Sequence, residues 1–141
     1  MKHLSKFLIA ALLGLATPVV AQDEAVSEAI IDYMDFAPYE SGIILPQQID
    51  QSVFESATFV DTRDAEQFEA AHIPGAIHIE WREIPGRIDE LPDSGMVILY
   101  CNTGSLSAQA TFAARLMGRE NVLVLQTGFT GWQQEAAWKP E

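Results

Sequence analysis

One cysteine, Cys101, is the only thiol in 141 residues. That excludes an internal disulfide, and it excludes thioredoxin-type redox chemistry, which needs a second thiol to resolve a mixed disulfide. Positive charge is also scarce. Eight Lys and Arg face 20 Asp and Glu, a formal net charge of −12, and so acidic a surface repels nucleic acid and anionic lipid. The three histidines show no metal-ligand spacing. A trigonal zinc site from His72, His78 and Cys101 therefore has no pattern behind it. Internal repeats and low-complexity tracts are absent. Aliphatic and aromatic residues are not: 48% of the chain is hydrophobic, which excludes global disorder.

The chain opens with Lys2 and Lys6, an apolar core from Phe7 to Leu15, and small residues ending in Val19-Val20-Ala21. This is the pattern of a secretory signal, residues 1–21, cut after Ala21, and it predicts a periplasmic protein. The apolar core is short for a membrane span, so an uncleaved anchor is the lesser alternative, and no membrane association is expected after cleavage. Cleavage leaves 120 residues and a charge of −14, enough for one domain with a real core. In an oxidising compartment an exposed lone thiol invites oxidation or intermolecular pairing. Cys101 is thus either a buried small hydrophobe or a residue kept for chemistry.

Residues 22–41 form an acidic extension, with six acids and no base from Asp23 to Glu40. Ala25, Ala29, Ile30, Tyr33 and Met34 fall at helical spacings and predict a short helix packed on the domain and ended by Pro38. Beyond it, GIIL, ATFVD, GAIHI, MVILY and NVLVL read as strands. PQQIDQSVFE, DAEQFEAAHI (with Asp64 as its cap) and residues 105–117 read as helices, and EIPGRIDEL as broken helical turns. In the 105–117 helix Ala108, Phe112 and Leu116 recur at i+4, and Gly118 ends it. TGFTGWQQEAAW turns through two glycines into a last helix. Continuous apolar strands such as VILY belong to sheets covered on both sides. The fold class is α/β: a central, mainly parallel five-stranded sheet flanked by helices on both faces.

Open parallel sheets bind ligands beyond the carboxyl ends of their strands. Cys101 follows one strand directly and precedes a helix, and CNTGSLS between them is a compact turn in which Gly104 permits an unusual backbone angle. If the turn curls around the sulfur, the N–H groups of Asn102, Thr103, Gly104, Ser105, Leu106 and Ser107 point inward as a nest, and the helix start adds its unpaired donors. Such donors stabilise a thiolate and lower the thiol pKa. They would equally hold the outer sulfur of a persulfide. Ser105 suits a helix cap, whereas the Ser107 hydroxyl is as well placed for the pocket as for a cap.

VDTRDAEQFEAAHIPGAIHI, followed by VILYCNTGSLSAQATFAARLMGRENVLVLQTGFTGW, resembles the single-domain rhodaneses, a sulfurtransferase family, in an exported form. The resemblance assigns residues 42–139 to a rhodanese-like domain. It implies a catalytic cysteine, Cys101, heading a loop that binds substrate and persulfide, and it implies no metal and no organic cofactor beyond that covalent persulfide. A donor such as thiosulfate loses its outer sulfur to the cysteine, which passes it to cyanide or a thiol. The implied partners are small sulfur anions or thiols and a sulfur-relay protein, with the chain a monomer.

Two departures stand out against the family pattern. The loop commonly ends in an arginine followed by serine; here Leu106 and Ser107 hold those places. Leucine cannot grip a sulfonate-like group, and one lost charge-assisted contact weakens donor binding by on the order of 1.5–3 kcal/mol. Thiosulfate activity is therefore expected to be weak. In LQTGF, Thr127 replaces the first of the family's paired glycines and puts a hydroxyl near the expected pocket wall. A tyrosine-phosphatase-like loop is excluded, since the place six after Cys101 is Ser107, not arginine.

Asp61 and Arg63 close a strand at the same sheet edge. They read as structural supports, Asp61 accepting loop N–H bonds and Arg63 pairing with Glu69 or another acid. His72 reads as a tie between backbone turns, and Trp81 or Phe129 as the mouth of the pocket. The sequence thus predicts sulfur transfer through Cys101. The alternative is a non-catalytic rhodanese-like binding module or a periplasmic sulfur carrier for a protein partner.

Overall fold

The computed structural model describes residues 19–141, so the expected leader lies outside the described residues as far as position 18. Helix α1 (Val19–Phe36) runs up to Pro38. Its apolar residues do not pack as the spacing predicts. Ile30 and Tyr33 are half-buried, whereas Ala25, Ala29 and Met34 are exposed. Among the described residues no helix is long and apolar enough to cross a membrane.

Five strands follow: β1 (Ile43–Ile44), β2 (Thr58–Asp61), β3 (Ile77–His78), β4 (Val97–Tyr100) and β5 (Val122–Leu125). They form one sheet in the order β1-β5-β4-β2-β3, and every pairing is parallel. Alternation along the central strand separates two cores. Ile98 and Tyr100 join Phe59, Leu125, Phe129 and Trp132 on one face. Val97 and Leu99 join Val60, Val122, Ala110 and Ala114 on the other. Every residue of β4 is buried, as the continuous apolar run requires of a strand covered on both sides.

The first of the two faces is covered by α2 (Gln51–Ser56) and α5 (Gly128–Glu135), the second by α4 (Ser105–Leu116) and the 3₁₀ segment Ile84–Glu90. The expected helix PQQIDQSVFE is two pieces, a 3₁₀ turn at Pro46–Gln48 and α2. Asp50 divides them because its carboxylate caps the Val53 N–H at 2.9 Å and so starts a new helix. Helix α3 (Ala65–Ala70) is likewise shorter than DAEQFEAAHI, and starts at the Asp64 cap.

In α4 the face against the sheet is Ser107, Ala110, Thr111 and Ala114, not the Ala108–Phe112–Leu116 stripe. Small residues let the helix approach the strands closely. Phe112 instead meets Tyr33 of α1, ring centroids 5.3 Å apart and edge-on, while Arg115 Nε donates to the Tyr33 hydroxyl at 3.0 Å. The acidic extension is thereby packed onto α4.

The strand order places the site. From β2 the chain crosses outward to β3, and from β4 it crosses the other way to β5. The carboxyl ends of β2 and β4 therefore flank a crevice where the sheet's winding reverses, the place where open α/β sheets take ligands.

Candidate active site

Cys101 is the first residue after β4 and Thr62 the first after β2. Both line a cleft of about 400 Å³. Its walls come from three segments: residues 62–64 with Gln67, residues 80–82, and the loop contributing Cys101, Asn102, Thr103, Ser105 and Leu106.

The loop turns around the sulfur. Gly104 makes the turn with a φ of +96°, open to glycine at little cost, and its N–H donates to Cys101 Sγ at 3.2 Å. A side chain at this position would also meet the Leu125 carbonyl oxygen at 3.2 Å. The Ser107 hydroxyl, fully buried on α4, lies 3.5 Å from the sulfur and 3.1 Å from the Gly104 carbonyl oxygen. Burial pushes the Cys101 thiol up, but the amides of Ser107, Thr103 and Leu106 and the Ser107 hydroxyl outweigh it and hold the thiol below its ordinary value. The mechanism is the usual one: donors aimed at an anion favour the anion. Only 3% of Cys101 is exposed, and that small area faces the cleft.

The loop carbonyls are held from the other side. At the start of α5, Phe129 N–H donates to the Cys101 carbonyl at 2.7 Å and Thr130 N–H to that of Asn102 at 3.1 Å. Gly128 lies so close that a Cβ there would stand 2.4 Å from the Cys101 carbonyl oxygen. With its carbonyls fixed behind, the loop keeps its amides turned toward the sulfur.

Arg63 joins the β2 end to the loop. Its guanidinium pairs with Asp61, not with Glu69, and both partners are buried. It also donates to the Ala71 carbonyl at 2.6 Å and to Asn102 Oδ1 at 3.3 Å, and lies 4.5 Å from the Phe129 ring centroid. Asp61 accepts the Arg63 N–H at 3.0 Å, so its acceptor role is local to the β2 end. Asn102 completes the tie by donating to Gln67 Oε1 at 2.6 Å.

Other expected residues fall elsewhere. Ser105 does not cap α4: Gly104 holds the cap position, because the loop needs a left-handed residue there, and the Ser105 hydroxyl meets that of Thr103 at 3.2 Å. Thr127 is not on the cleft wall; its hydroxyl donates to the Gln126 carbonyl. Phe129 is not at the mouth but in the core, stacked with Tyr100 and Trp132. His72 is also outside the cleft, bonded through Nδ1 to the Phe68 carbonyl at 2.8 Å and stacked on the Phe68 ring. Trp81 does line the cleft. Among the described residues no group of three or more His, Cys, Asp or Glu side chains is placed to hold a metal.

Sequence reasoning missed Gln67, Glu80 and Arg82 on the cleft walls. A usable signal was there: EWRE follows the strand GAIHI, and parallel strands present their trailing residues at one edge.

Comparison with known proteins agrees with this geometry. The rhodanese-like domain family matches residues 45–135. Thiosulfate sulfurtransferase GlpE of Pseudomonas syringae pv. syringae is 32% identical over 92 residues, 64% of this chain and 85% of its own length. Thiosulfate sulfurtransferase PspE of Escherichia coli is 36% identical over 72 residues, covering 50% and 69%. YrkF of Bacillus subtilis, provisionally named a sulfur carrier protein, is 31% identical over 86 residues, 61% of this chain. Here the match spans only 45% of the relative's length, and for the HTH-type transcriptional regulator Rv0324 of Mycobacterium tuberculosis only 34%. Among solved structures, a rhodanese-related protein from Thermoplasma volcanium superposes with a TM-score of 0.60 at 20% identity, covering 66% of this chain and 91% of that one. That likeness speaks for the fold. With the family match spanning most of the chain, this protein belongs to the rhodanese-like domain family.

Proposed function

We infer that the protein transfers sulfane sulfur through a persulfide on Cys101. The observation that carries this reading is the Gly104 N–H and Ser107 hydroxyl directed at one cleft-lining sulfur whose anion is favoured. The Cys101 thiolate attacks the outer sulfur of the donor, and the donor's S–S bond breaks as the new one forms. From thiosulfate, sulfite leaves with both charges; from an organic persulfide, the thiolate R–S⁻ leaves and the proton stays on the transferred sulfur. Cyanide or an incoming thiolate then attacks that sulfur and restores the Cys101 thiolate. No net electron enters or leaves this cycle, so it needs neither metal nor organic cofactor.

Leu106, 40% exposed on the cleft wall, argues for organic persulfide or polysulfide donors over thiosulfate, because it leaves the loop without a cation. The secretory-signal pattern of residues 1–21 supports action in the periplasm. A second reading, a carrier that delivers its sulfur only to a protein partner, is favoured by the similarity to YrkF.

Acceptor titration tests both. Protein preloaded with sulfur is expected to yield one equivalent of thiocyanate with cyanide, or of a new persulfide with a small thiol, and Cys101→Ser none. Preloaded protein that yields no sulfur to either small acceptor would overturn the enzyme reading and leave the carrier.

A further inference from the structure

The cleft beside Cys101 carries both signs of charge, and its two arginines differ in what they can reach. Arg63 is buried, with its guanidinium engaged by Asp61, the Ala71 carbonyl and Asn102. Arg82, on the segment after β3, is 73% exposed. Its Nε donates to the Glu80 carboxylate oxygens at 3.0 and 3.2 Å, and its Nη2 lies 2.9 Å from Oε1. Among the described residues its Nη1 makes no hydrogen bond.

The segment is tied to the end of β2 and to its own side chains. Trp81 N–H donates to the Thr62 carbonyl at 3.0 Å, Arg82 N–H to Glu80 Oε2 at 2.9 Å, and the guanidinium lies 5.9 Å from the Trp81 ring centroid. The cleft thus holds its one reachable guanidinium on a different segment from the sulfur, with Trp81 and Leu106 as the apolar wall.

That arrangement sorts sulfur compounds by where their charge sits. In thiosulfate the charge is on the group bonded directly to the transferred sulfur, and for that group the loop offers Leu106, while the Arg63 guanidinium is already engaged by Asp61, the Ala71 carbonyl and Asn102. In an organic persulfide with a terminal carboxylate, an apolar stem separates charge from sulfur. Leu106 and Trp81 line the same cleft as Arg82, so one such molecule could lay its stem on the apolar wall and its carboxylate on the guanidinium.

We propose that Arg82 is a specificity-determining residue that selects organic persulfides and thiols carrying a carboxylate remote from their sulfur, with Glu80 as its tuning partner. The proposal rests on the sulfur-transfer reading above. The carboxylate takes no part in the chemistry. The Cys101 thiolate attacks the outer sulfur, R–S⁻ departs, and the outer sulfur stays with its proton as Cys–S–SH. Glu80 competes with the substrate for the same guanidinium, so removing its charge strengthens the selection.

The test compares two donors on one protein. Rates of sulfur loading are read by mass spectrometry with mercaptopropionate persulfide, which bears a carboxylate, and mercaptoethanol persulfide, which does not. Their ratio cancels any loss of folded protein. Arg82→Gln is expected to lower the ratio of the carboxylate donor to the other about 1.5-fold to fivefold, the scale of a solvent-exposed ion pair, and Glu80→Gln to raise it. Arg119→Gln removes the same charge away from the cleft, where Arg119 pairs with Asp89, and is expected to leave the ratio in place. A ratio that Arg82→Gln does not change, or that Arg119→Gln lowers equally, overturns the proposal while leaving sulfur transfer standing. Loading by neither donor overturns both.

Discussion

Cys101 is almost fully buried, and burial alone would make it an inert small hydrophobe. What separates it from that state is a handful of donors, among them the hydroxyl of Ser107. This residue stands where the family usually has a serine, one place after the missing arginine. Its oxygen is 3.5 Å from the sulfur and 3.1 Å from the Gly104 carbonyl oxygen, and one proton shared between two acceptors gives the sulfur less than a full hydrogen bond. Removing it is expected to raise the thiol pKa. Alkylation follows the thiolate fraction, so the wild-type rate profile lies to the acid side of free cysteine's, and Ser107→Ala moves it back toward alkaline pH. Below the midpoint the variant is expected to react about twofold to fivefold more slowly, from roughly 0.5–1 kcal/mol of lost stabilisation. At high pH, where both thiols are ionised, the rates should converge. Iodoacetamide kinetics across pH read this directly, and a profile that stays put or moves to lower pH would contradict the role given to the hydroxyl. The loop was legible at this scale because a cysteine, a glycine and two serines between a strand and a helix carry a local chemical meaning. Arg82 was not, because its relation to Cys101 depends on the parallel pairing of β2 with both β3 and β4, which no local pattern encodes.

At the scale of elements, the start of α5 holds the loop from behind, and it does so under strain. Thr127 takes a φ of +64°, and is the one non-glycine residue with positive φ among the described residues. Left-handed backbone is unfavourable for a β-branched side chain, which gives a physical reason for glycine at this place in the family. Thr127→Gly is expected to stabilise the protein by about 1 kcal/mol, the relief of left-handed strain less the extra freedom glycine gives the unfolded chain. Thermal or denaturant unfolding would register this as a midpoint a few degrees, or a corresponding fraction of denaturant, higher. Destabilisation would mean that the packing of Thr127 outweighs its backbone strain. Here the sequence misled for a definable reason: a departure from a glycine pair drew attention to the new hydroxyl, while the consequence lay in the backbone angle. The same holds for α4, where the apolar stripe through Phe112 was legible but its partner was not. Its sheet-facing side is small and partly polar, and Phe112 is covered by α1.

At the scale of the molecule, the alternation of short apolar runs with helical segments was enough to give a central, mainly parallel five-stranded sheet, because inner strands covered on both faces, such as β4, cannot be polar. The order β1-β5-β4-β2-β3 was beyond local periodicity, yet it is this order that opens a crevice between the ends of β2 and β4 and sets Cys101 at its edge. Sheet, crevice and loop converge on one claim, that the sulfur of Cys101 receives and holds a second sulfur. The direct measurement is the intact mass of the protein after incubation with an organic persulfide or thiosulfate, and again after dithiothreitol. The account predicts a gain of one sulfur atom on the wild type, reversed by the reductant and absent from Cys101→Ser. No gain with either donor, or an equal gain on Cys101→Ser, would contradict it.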